Sequence, residues 1–431
     1  MRGHAARKIE GQTTMDENQA DTTGQAQIGT AGSADSTTEV QAKRRRRPGR
    51  GAARVILALL FCLGCFLSLF PAGRAFTRSA LLLPALLSAS EPAPLVTAGD
   101  PVSFTRMTVS SSIGPVFLDI YQPSTPAPPV PGGREAIVDV PGAGDNRAVP
   151  QLVNLSEALA HEGIVVVNVG TPAIFNYQLE ARDGEAVVRA FQLMQHWPGV
   201  NPNHIGIIAF SVGGLLADMG AANPLIRTHV AFVASLGSYV DATSLLRVLG
   251  ARSQVINGQK QPWQPIPPVS YTLVHTVSSL LSPSERALLQ KAFPLNNPGP
   301  RLTAQQQAQL SPSAAAFYHL LEGDQPAQVA RNLAALSPQM KALLVQLSPL
   351  SVLDQIRAPI YLLHDRNDTS IPFSQALEFA SALARLHHHY TFAAYSIFSH
   401  VQVQSNLGLQ EELGDGLKLF QTLNSIVLVG S

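Results

Sequence analysis

Residues 207–216 read IIAFSVGGLL. The pattern predicts a buried β-strand that turns directly into an apolar helix, with Ser211 at the turn. Such a turn strains the residue at its apex, and the small residues two positions away, Ala209 and Gly213, let the neighbouring backbones pass. The helix N-terminus would offer free N–H groups to a developing oxyanion. Ser211 is therefore a candidate nucleophile, although a serine that only caps the helix has the same local pattern.

A second apolar run is followed by a polar turn that carries two carboxylates. The run covers residues 360–363, and the turn contains Asp365 and Asp368. A nucleophilic serine needs a base, and the base needs an acid that orients it. We expect Asp368 to be this acid because it lies past the strand end, where a loop side chain reaches its neighbours. Asp365 is the rival, and a turn that uses both carboxylates only for its own hydrogen bonds is the alternative.

The candidate base is His400, which follows the predicted strand over residues 390–398. Loops at the carboxyl ends of parallel strands lie over one edge of the sheet, where open α/β sheets place their sites. We therefore expect His400 to meet Ser211 and Asp368 there. Other histidines are expected at the far edge of the sheet or in the inserted region described below: His196, His204, His229, His275, His319, His387, His388 and His389.

A glycine-rich loop, VPGAGD over residues 140–145, follows the third predicted strand. Glycine lets the backbone approach a substrate closely. In a serine hydrolase this loop supplies one oxyanion donor, and the residue after the nucleophile supplies the other. We assign these donors to the N–H groups of Ala143 and Val212, with an ordinary glycine-rich turn as the alternative.

From about residue 101 onward, strand and helix patterns alternate, which predicts an α/β fold with a mostly parallel central sheet flanked by helices. The alternation stops over residues 243–350, where Ser-Pro pairs mark helix starts, as in Ser282-Pro283 with Glu285. We interpret this region as an inserted helical cap, which divides the core into residues 101–242 and 351–431. The predicted strands are residues 104–110, 116–121, 135–140, 163–169, 205–210, 230–235, 360–363 and 389–398.

The N-terminal part has a different composition. Residues 1–54 read as a disordered polar tail that ends in a basic cluster, residues 55–73 as a transmembrane anchor, and residues 74–100 as a linker. The basic cluster predicts a cytoplasmic N-terminus and an extracytoplasmic catalytic domain. A cleaved secretory signal, followed by secretion, is the main alternative. A nucleic-acid patch and a buried soluble helix are weaker ones.

Charge and cysteine content narrow the remaining possibilities. The formal net charge of the 431 residues is +1, which does not favour nucleic acid as a partner. Both cysteines, Cys62 and Cys65, lie within the apolar segment, so the catalytic region has neither a disulfide nor a thiolate metal site. Gly64-Cys65 faintly matches a lipoprotein acylation site, but Cys62 stands where such a site has leucine.

The order of oxyanion loop, serine, aspartate and histidine resembles the α/β-hydrolase superfamily. Residues 360–372 are similar to its acid-bearing strand and turn, where a His-Gly-x-x-Asp-x-x-Val-Pro pattern is usual; here Asp365 replaces the glycine. The chain is most similar to the dienelactone-hydrolase-like and serine-aminopeptidase-like esterase groups, over about residues 101–242 and 351–428. The resemblance implies hydrolysis of an ester, thioester or amide through an acyl-enzyme, without metal or organic cofactor.

These features predict a serine hydrolase that acts on a small-molecule acyl substrate, and the apolar cap favours an uncharged or lipophilic one. Two other functions remain open. One is a catalytically idle hydrolase fold that serves as a binding module, and the other is acyl transfer to an acceptor other than water with the same three residues. The sequence does not indicate an oligomeric state.

Overall fold

The computed structural model describes residues 50–87, 99–126, 133–403 and 409–430. The tail predicted over residues 1–54 therefore lies almost entirely outside the described residues. The strands are β1 Val102–Ser111, β2 Gly114–Pro123, β3 Arg134–Val140, β4 Val165–Gly170, β5 Val200–Phe210, β6 Val230–Leu236, β7 Ser253–Ile256, β8 Gln259–Pro262, β9 Ile360–Asp365, β10 Tyr390–Tyr395, β11 Phe398–Ser399 and β12 Gln402–Val403.

The α-helices are α1 Arg50–Leu69, α2 Pro71–Leu87, α3 Pro150–His161, α4 Pro172–Phe175, α5 Gly184–Gln195, α6 Gly213–Ala221, α7 Ala242–Ala251, α8 Pro267–Thr276, α9 Pro283–Ala292, α10 Ala304–Gln307, α11 Pro312–Glu322, α12 Val329–Ala335, α13 Pro338–Gln346, α14 Phe373–Arg385 and α15 Leu409–Gly430. The chain divides into two units between Leu57 and Ala58. The sheet and the candidate site belong to the second unit.

The central sheet has eight strands in the order β1-β2-β4-β3-β5-β6-β9-β10. Strand β2 is antiparallel to both β1 and β4, and the remaining pairings are parallel. The predicted mostly parallel α/β sheet is therefore confirmed. Because β3, β5, β6 and β9 run in the same direction, the loops after them lie at one edge of the sheet, where the candidate residues are found.

Side chains alternate between two apolar layers, as the period of two in a strand requires. In β4, Val165 and Val167 pack in the layer that contains residues of α5 and α6. Val166 packs in the opposite layer, which contains residues of α2, α3 and α15. Every residue of β4 is buried, which is typical of a strand covered by helices on both faces.

Helix α2 corrects the predicted linker over residues 74–100. Residues 74–87 form a helix that packs against α3 and α15, and its buried positions Ala75, Ser79 and Leu82 follow helical spacing. Pro84 lies inside this helix, on its exposed face. The carbonyl of Ala80, which loses its helical hydrogen bond, is on the same exposed face and has access to water.

The helix predicted over residues 55–73 ends earlier than expected, at Leu69. Pro71 lacks a backbone N–H and disfavours helical geometry at the residue before it, so it begins a new helix instead of extending α1. Among the described residues, no single helix is long and apolar enough to cross a membrane. Residues 55–69 and 71–87 meet that criterion only as a pair, and this pair is bent by 87°.

The region between β6 and β9 is mainly helical, and its Ser-Pro pairs start helices as predicted. Ser282 caps α9, and Glu285 completes the capping box. Ser311 and Ser337 cap α11 and α13 through their side chains. The antiparallel pair β7 and β8 was not predicted, and it is followed by Trp263, a buried residue that contacts the candidate site.

Candidate active site

Ser211 lies at the sharp turn between β5 and α6 and has a φ of +56°. This left-handed conformation costs a residue with a Cβ atom about 1–2 kcal/mol. Two hydrogen bonds hold the turn: the Ser211 N–H donates to the Leu236 carbonyl at 2.8 Å, and the Ser238 hydroxyl donates to the Ser211 carbonyl at 2.9 Å. The serine is therefore fixed, despite this strain, where β5 ends and α6 begins.

Glycines allow the chain to pass closely around this turn. A Cβ atom on Gly213 would lie 2.4 Å from the carbonyl oxygens of Val140 and Pro141, so only glycine fits there. A Cβ atom on Gly142 would lie 3.1 Å from the Cβ of Ser211 and 3.6 Å from its Oγ. The loop after β3 therefore runs directly against the Ser211 side chain.

His400 lies at the tip of a short hairpin formed by β11 and β12, and its φ is +65°. Its Nδ1 is 2.7 Å from Oδ2 of Asp368, which follows β9. Gly237, the first residue after β6, lies against this pair: a Cβ atom there would be 3.0 Å from His400 Nδ1 and 3.4 Å from Asp368 Oδ2. The structure thus brings His400 to Asp368.

The Asp368 carboxylate is fully buried and held from several directions. Its Oδ1 accepts hydrogen bonds from the N–H groups of Ser370 at 2.7 Å and Ile371 at 2.9 Å. The backbone carbonyl of Asp368 accepts a hydrogen bond from the Trp263 indole at 2.7 Å. The rival Asp365 accepts a hydrogen bond from the N–H of Asn367 within the turn. Because Oδ1 is held by these two N–H groups, the other oxygen of Asp368, Oδ2, points to His400 Nδ1.

A second histidine, His364, lies behind the carboxylate. Its Nε2 is 3.4 Å from Asp368 Oδ2 and 3.0 Å from the Ile371 carbonyl. Because a carbonyl oxygen only accepts, Nε2 carries the proton and donates it. Burial lowers the pKa of His364, so the ring is neutral at neutral pH.

Burial is the largest single influence on the pKa of Asp368 and would raise it, but the charge and the hydrogen bond of His400 lower it. The remaining contributions, from His364 and from the Ile371 N–H, also lower it. The net effect keeps the pKa of Asp368 below its usual value, so the carboxylate is ionised at neutral pH. An ionised carboxylate can hold a proton on His400 Nδ1 and leave Nε2 free to act as a base.

The loop after β3 is fixed by Asn146. Its side-chain amide donates to the carbonyls of Gly142 at 2.8 Å, Gly144 at 3.2 Å and Ala143 at 3.3 Å. Since these carbonyls are held by Asn146, the loop's peptide planes are constrained. No described residue accepts a hydrogen bond from the N–H of Ala143 or Val212. Both groups are therefore free to bind a substrate oxygen.

Ser211, Val212, Ala143 and His400 all line one cavity of about 400 Å³. Much of the remaining wall is apolar and comes from α2, α3 and α8 as well as from the strand ends. Among the described residues, no hydrogen bond joins the Ser211 hydroxyl to His400. Such contacts are often long in a free enzyme and tighten when substrate binds.

Several features of the site were not predicted from the sequence. Gly237 carried a usable signal, since a glycine directly after a buried strand often marks a positive φ, here +64°. Asn146, Trp263 and His364 gave no comparable signal, because their roles depend on tertiary contacts. Among the other histidines, His388 bonds the Ala358 carbonyl at 2.8 Å and is half-buried.

No protein-family model matches the sequence, and no curated protein matches it. Solved structures with a similar fold include dipeptidyl peptidase 4 of Porphyromonas gingivalis, at 13% identity and a TM-score of 0.43 over 75% of this chain. A puromycin-hydrolyzing peptidase of Mycobacterium tuberculosis has 16% identity and a TM-score of 0.44 over 73% of this chain. The chain spans only 35% and 37% of the length of these two peptidases.

Esterase B of Lactobacillus rhamnosis is of a more similar size. It has 14% identity and a TM-score of 0.41, and the match covers 77% of this chain and 90% of the esterase. The fold is assigned from the topology of the chain itself. Its strand order, the strained serine between β5 and α6, and the His400–Asp368 pair on loops at the sheet edge are those of an α/β-hydrolase-like fold.

Proposed function

We propose that this chain is a serine hydrolase in which Ser211 is the nucleophile, His400 the general base and Asp368 the acid that orients the base. One observation carries the proposal. Ser211 and His400 line the same cavity, while the buried Asp368 carboxylate lies 2.7 Å from His400 Nδ1. A serine, a histidine and an ionised aspartate in that relation can perform acyl transfer on any fold that brings them together.

In the proposed reaction, His400 Nε2 takes the proton of the Ser211 hydroxyl as its Oγ bonds to the substrate carbonyl carbon. The bond to the leaving group breaks, and the leaving group departs with the proton from His400. Water then attacks the acyl-enzyme, again losing its proton to His400, and the acid product is released as Ser211 regains its hydrogen. Asp368 remains ionised throughout and stabilises the imidazolium.

The negative charge on the substrate oxygen needs donors that are already in place. The free N–H groups of Ala143 and Val212 are the proposed pair, and Val212 directly precedes α6, so its N–H lies at the positive end of the helix dipole. Each donor is worth on the order of 3 kcal/mol of activation free energy. The hydrogen bonds from Asn146 to the loop keep the Ala143 peptide oriented without substrate.

Within this class we propose carboxylic esters with an uncharged acyl group as the substrates. The support is the cavity wall, in which apolar side chains predominate around the few polar groups of the site. An apolar wall with a small number of fixed polar groups favours a lipophilic ligand held by one polar centre.

The test is hydrolysis of a panel of p-nitrophenyl esters by the full chain and by Ser211→Ala. Turnover should fall by several orders of magnitude in the variant, while its melting temperature stays close to that of the wild type. Ser399→Ala, which removes an exposed hydroxyl beside His400, serves as the matched control and should retain turnover. Equal turnover by wild type and Ser211→Ala would refute the proposed nucleophile. A wild type without turnover would favour the idle binding module.

We also propose that α1 attaches the protein to a membrane, with the catalytic residues outside the cytoplasm. The support is apolar surface: Leu59, Phe61 and Leu69 are 65%, 72% and 67% exposed. Surface of this kind is unfavourable in water. Flotation of the full chain with phospholipid vesicles tests this attachment, and Leu59→Lys with Phe61→Lys should abolish it.

A further inference from the structure

A second cavity lies beside the candidate active site, on the face of the sheet covered by α2, α3 and α15. It measures about 50 Å³, and every residue around it is apolar. Leu82 and Leu86 of α2 form one wall, Leu155 and Leu159 of α3 another, and α15 closes it. Because no side chain around this cavity can form a hydrogen bond with a polar group, the cavity favours a hydrocarbon group.

The two cavities are neighbours. Five side chains line both of them: Leu86, Leu155, Phe210, Leu236 and Leu363. Phe210 directly precedes Ser211, so the shared wall begins at the residue next to the proposed nucleophile. The small cavity therefore adjoins the large one along the sheet, and these side chains form the wall between them.

We infer that the acyl chain of the substrate extends from Ser211 between α2 and α3 and that its far end reaches the second cavity. This inference rests on the proposed hydrolase function and specifies its substrate as an ester of a medium- or long-chain acyl group. Helix α2, which precedes β1 and lies outside the alternating core, is then a specificity-determining wall. Leu86 on α2 and Leu155 on α3 should limit the length of the acyl chain most directly, because each lines both cavities.

The expected effect follows from burial of methylene groups. Each methylene transferred from water to an apolar site contributes ~0.8 kcal/mol, which corresponds to a factor of about four. We therefore expect kcat/KM for p-nitrophenyl esters to rise about fourfold per methylene from acetate through butyrate and hexanoate, until the two cavities are filled. Longer chains should then gain nothing or lose.

The test compares the chain-length profiles of three variants and one control variant with that of the wild type. Leu86→Trp and Leu155→Trp fill the passage from opposite walls, and excluding two methylene groups should lower the octanoate-to-acetate ratio of kcat/KM roughly 16-fold. Leu86→Ala should move the optimum towards longer chains. Leu81→Trp is the matched control, because Leu81 is half-buried on the same helix but lines neither cavity, and its ratio should match the wild type.

The outcomes separate this inference from the function it rests on. A wild type that hydrolyses none of the esters overturns both. A wild type that hydrolyses acetate but gains nothing from longer chains overturns the acyl passage and leaves the serine hydrolase intact. The passage is also wrong if Leu86→Trp, folded by its melting temperature, keeps the wild-type ratio and Leu155→Trp does the same.

Discussion

Replacing Asp368 by asparagine tests how the structure sets the protonation of His400. Oδ1 of Asp368 accepts two backbone hydrogen bonds, from Ser370 and Ile371. In Asp368→Asn the amide oxygen has to take that position, because an NH₂ group there would face two donors. The NH₂ group therefore faces His400 Nδ1 and donates to it.

This reversal changes the tautomer of the base. With Nδ1 accepting a hydrogen bond from the new amide, the ring carries its proton on Nε2, which then cannot take the proton of Ser211. In serine hydrolases with the same three residues, this substitution lowers kcat by about 10⁴-fold, which corresponds to ~5.5 kcal/mol of activation free energy. The Asp368 carboxylate is fully buried, and its Oδ2 lies 2.7 Å from His400 Nδ1. We therefore expect a loss of kcat of this size in Asp368→Asn.

The assay is steady-state hydrolysis of a p-nitrophenyl ester, with melting temperatures as the check on folding. Asp365→Asn is the matched control, since Asp365 carries the same group in the same turn but bonds Asn367 rather than His400. Its kcat should change by less than about tenfold. A folded Asp368→Asn that keeps kcat within tenfold of the wild type, or a larger loss in Asp365→Asn, would refute the assignment of the acid.

Three further substitutions probe other parts of the site and core. Gly237→Ala places a Cβ atom 3.0 Å from His400 Nδ1 at a φ of +64°, so kcat should fall roughly ten- to a hundredfold, and an unchanged kcat would contradict the close contact. Asn146→Leu releases the oxyanion loop and should lower kcat by up to about 100-fold with little change in KM; a change confined to KM would argue against that role. Burial raises the pKa of the Asp218 carboxyl group to about 8, so this group binds a proton more tightly in the folded state than in the unfolded state. The stability that the protonated group contributes is therefore lost as pH rises from about 4 to 8. Asp218→Asn should therefore increase the free energy of unfolding more at pH 8 than near pH 4, by an amount on the order of a few kcal/mol at most, and the same change at both pH values would contradict the raised pKa.

The fold was predictable where local pattern and topology agree. The strand, serine and glycines of residues 207–216 specify a turn whose geometry leaves few alternatives, and Gly213 is required by carbonyl oxygens 2.4 Å from where a Cβ atom would lie. The positions of Asp368 and His400 followed from a topological rule, because loops after parallel strands meet at one sheet edge. The catalytic roles of these residues stay predictions until they are tested chemically.

The N-terminal helices were harder to interpret because composition does not show what a helix packs against. Residues 74–87 contain Pro84 and too short an apolar run to span a membrane, so they read as a linker. In the structure, Ala75, Leu82 and Ala85 lie on the buried face of α2, which packs against α3 and α15, while Pro84 lies on the exposed face. The membrane anchor over residues 55–73 stays a prediction with altered boundaries, since α1 ends at Leu69.

Contacts between distant segments account for the rest of what the sequence did not reveal. Trp263 lies 105 residues from Asp368, yet its indole bonds the Asp368 carbonyl and ties the inserted region to the acid-bearing turn. The second apolar cavity is formed by side chains from α2, α3, α15 and three strands, none of which has a distinctive local pattern. Such features depend on the packed structure and leave no signal in a short window of sequence.

Covalent labelling with a fluorophosphonate followed by tandem mass spectrometry gives the most direct test of the proposed chemistry. The reagent reacts with a serine only when a base and an oxyanion site activate it, so a single adduct should be found on Ser211 and should disappear in Ser211→Ala and weaken strongly in His400→Ala. An adduct on another residue would show that Ser211 is not an activated nucleophile. The absence of any adduct on the folded protein would show the same.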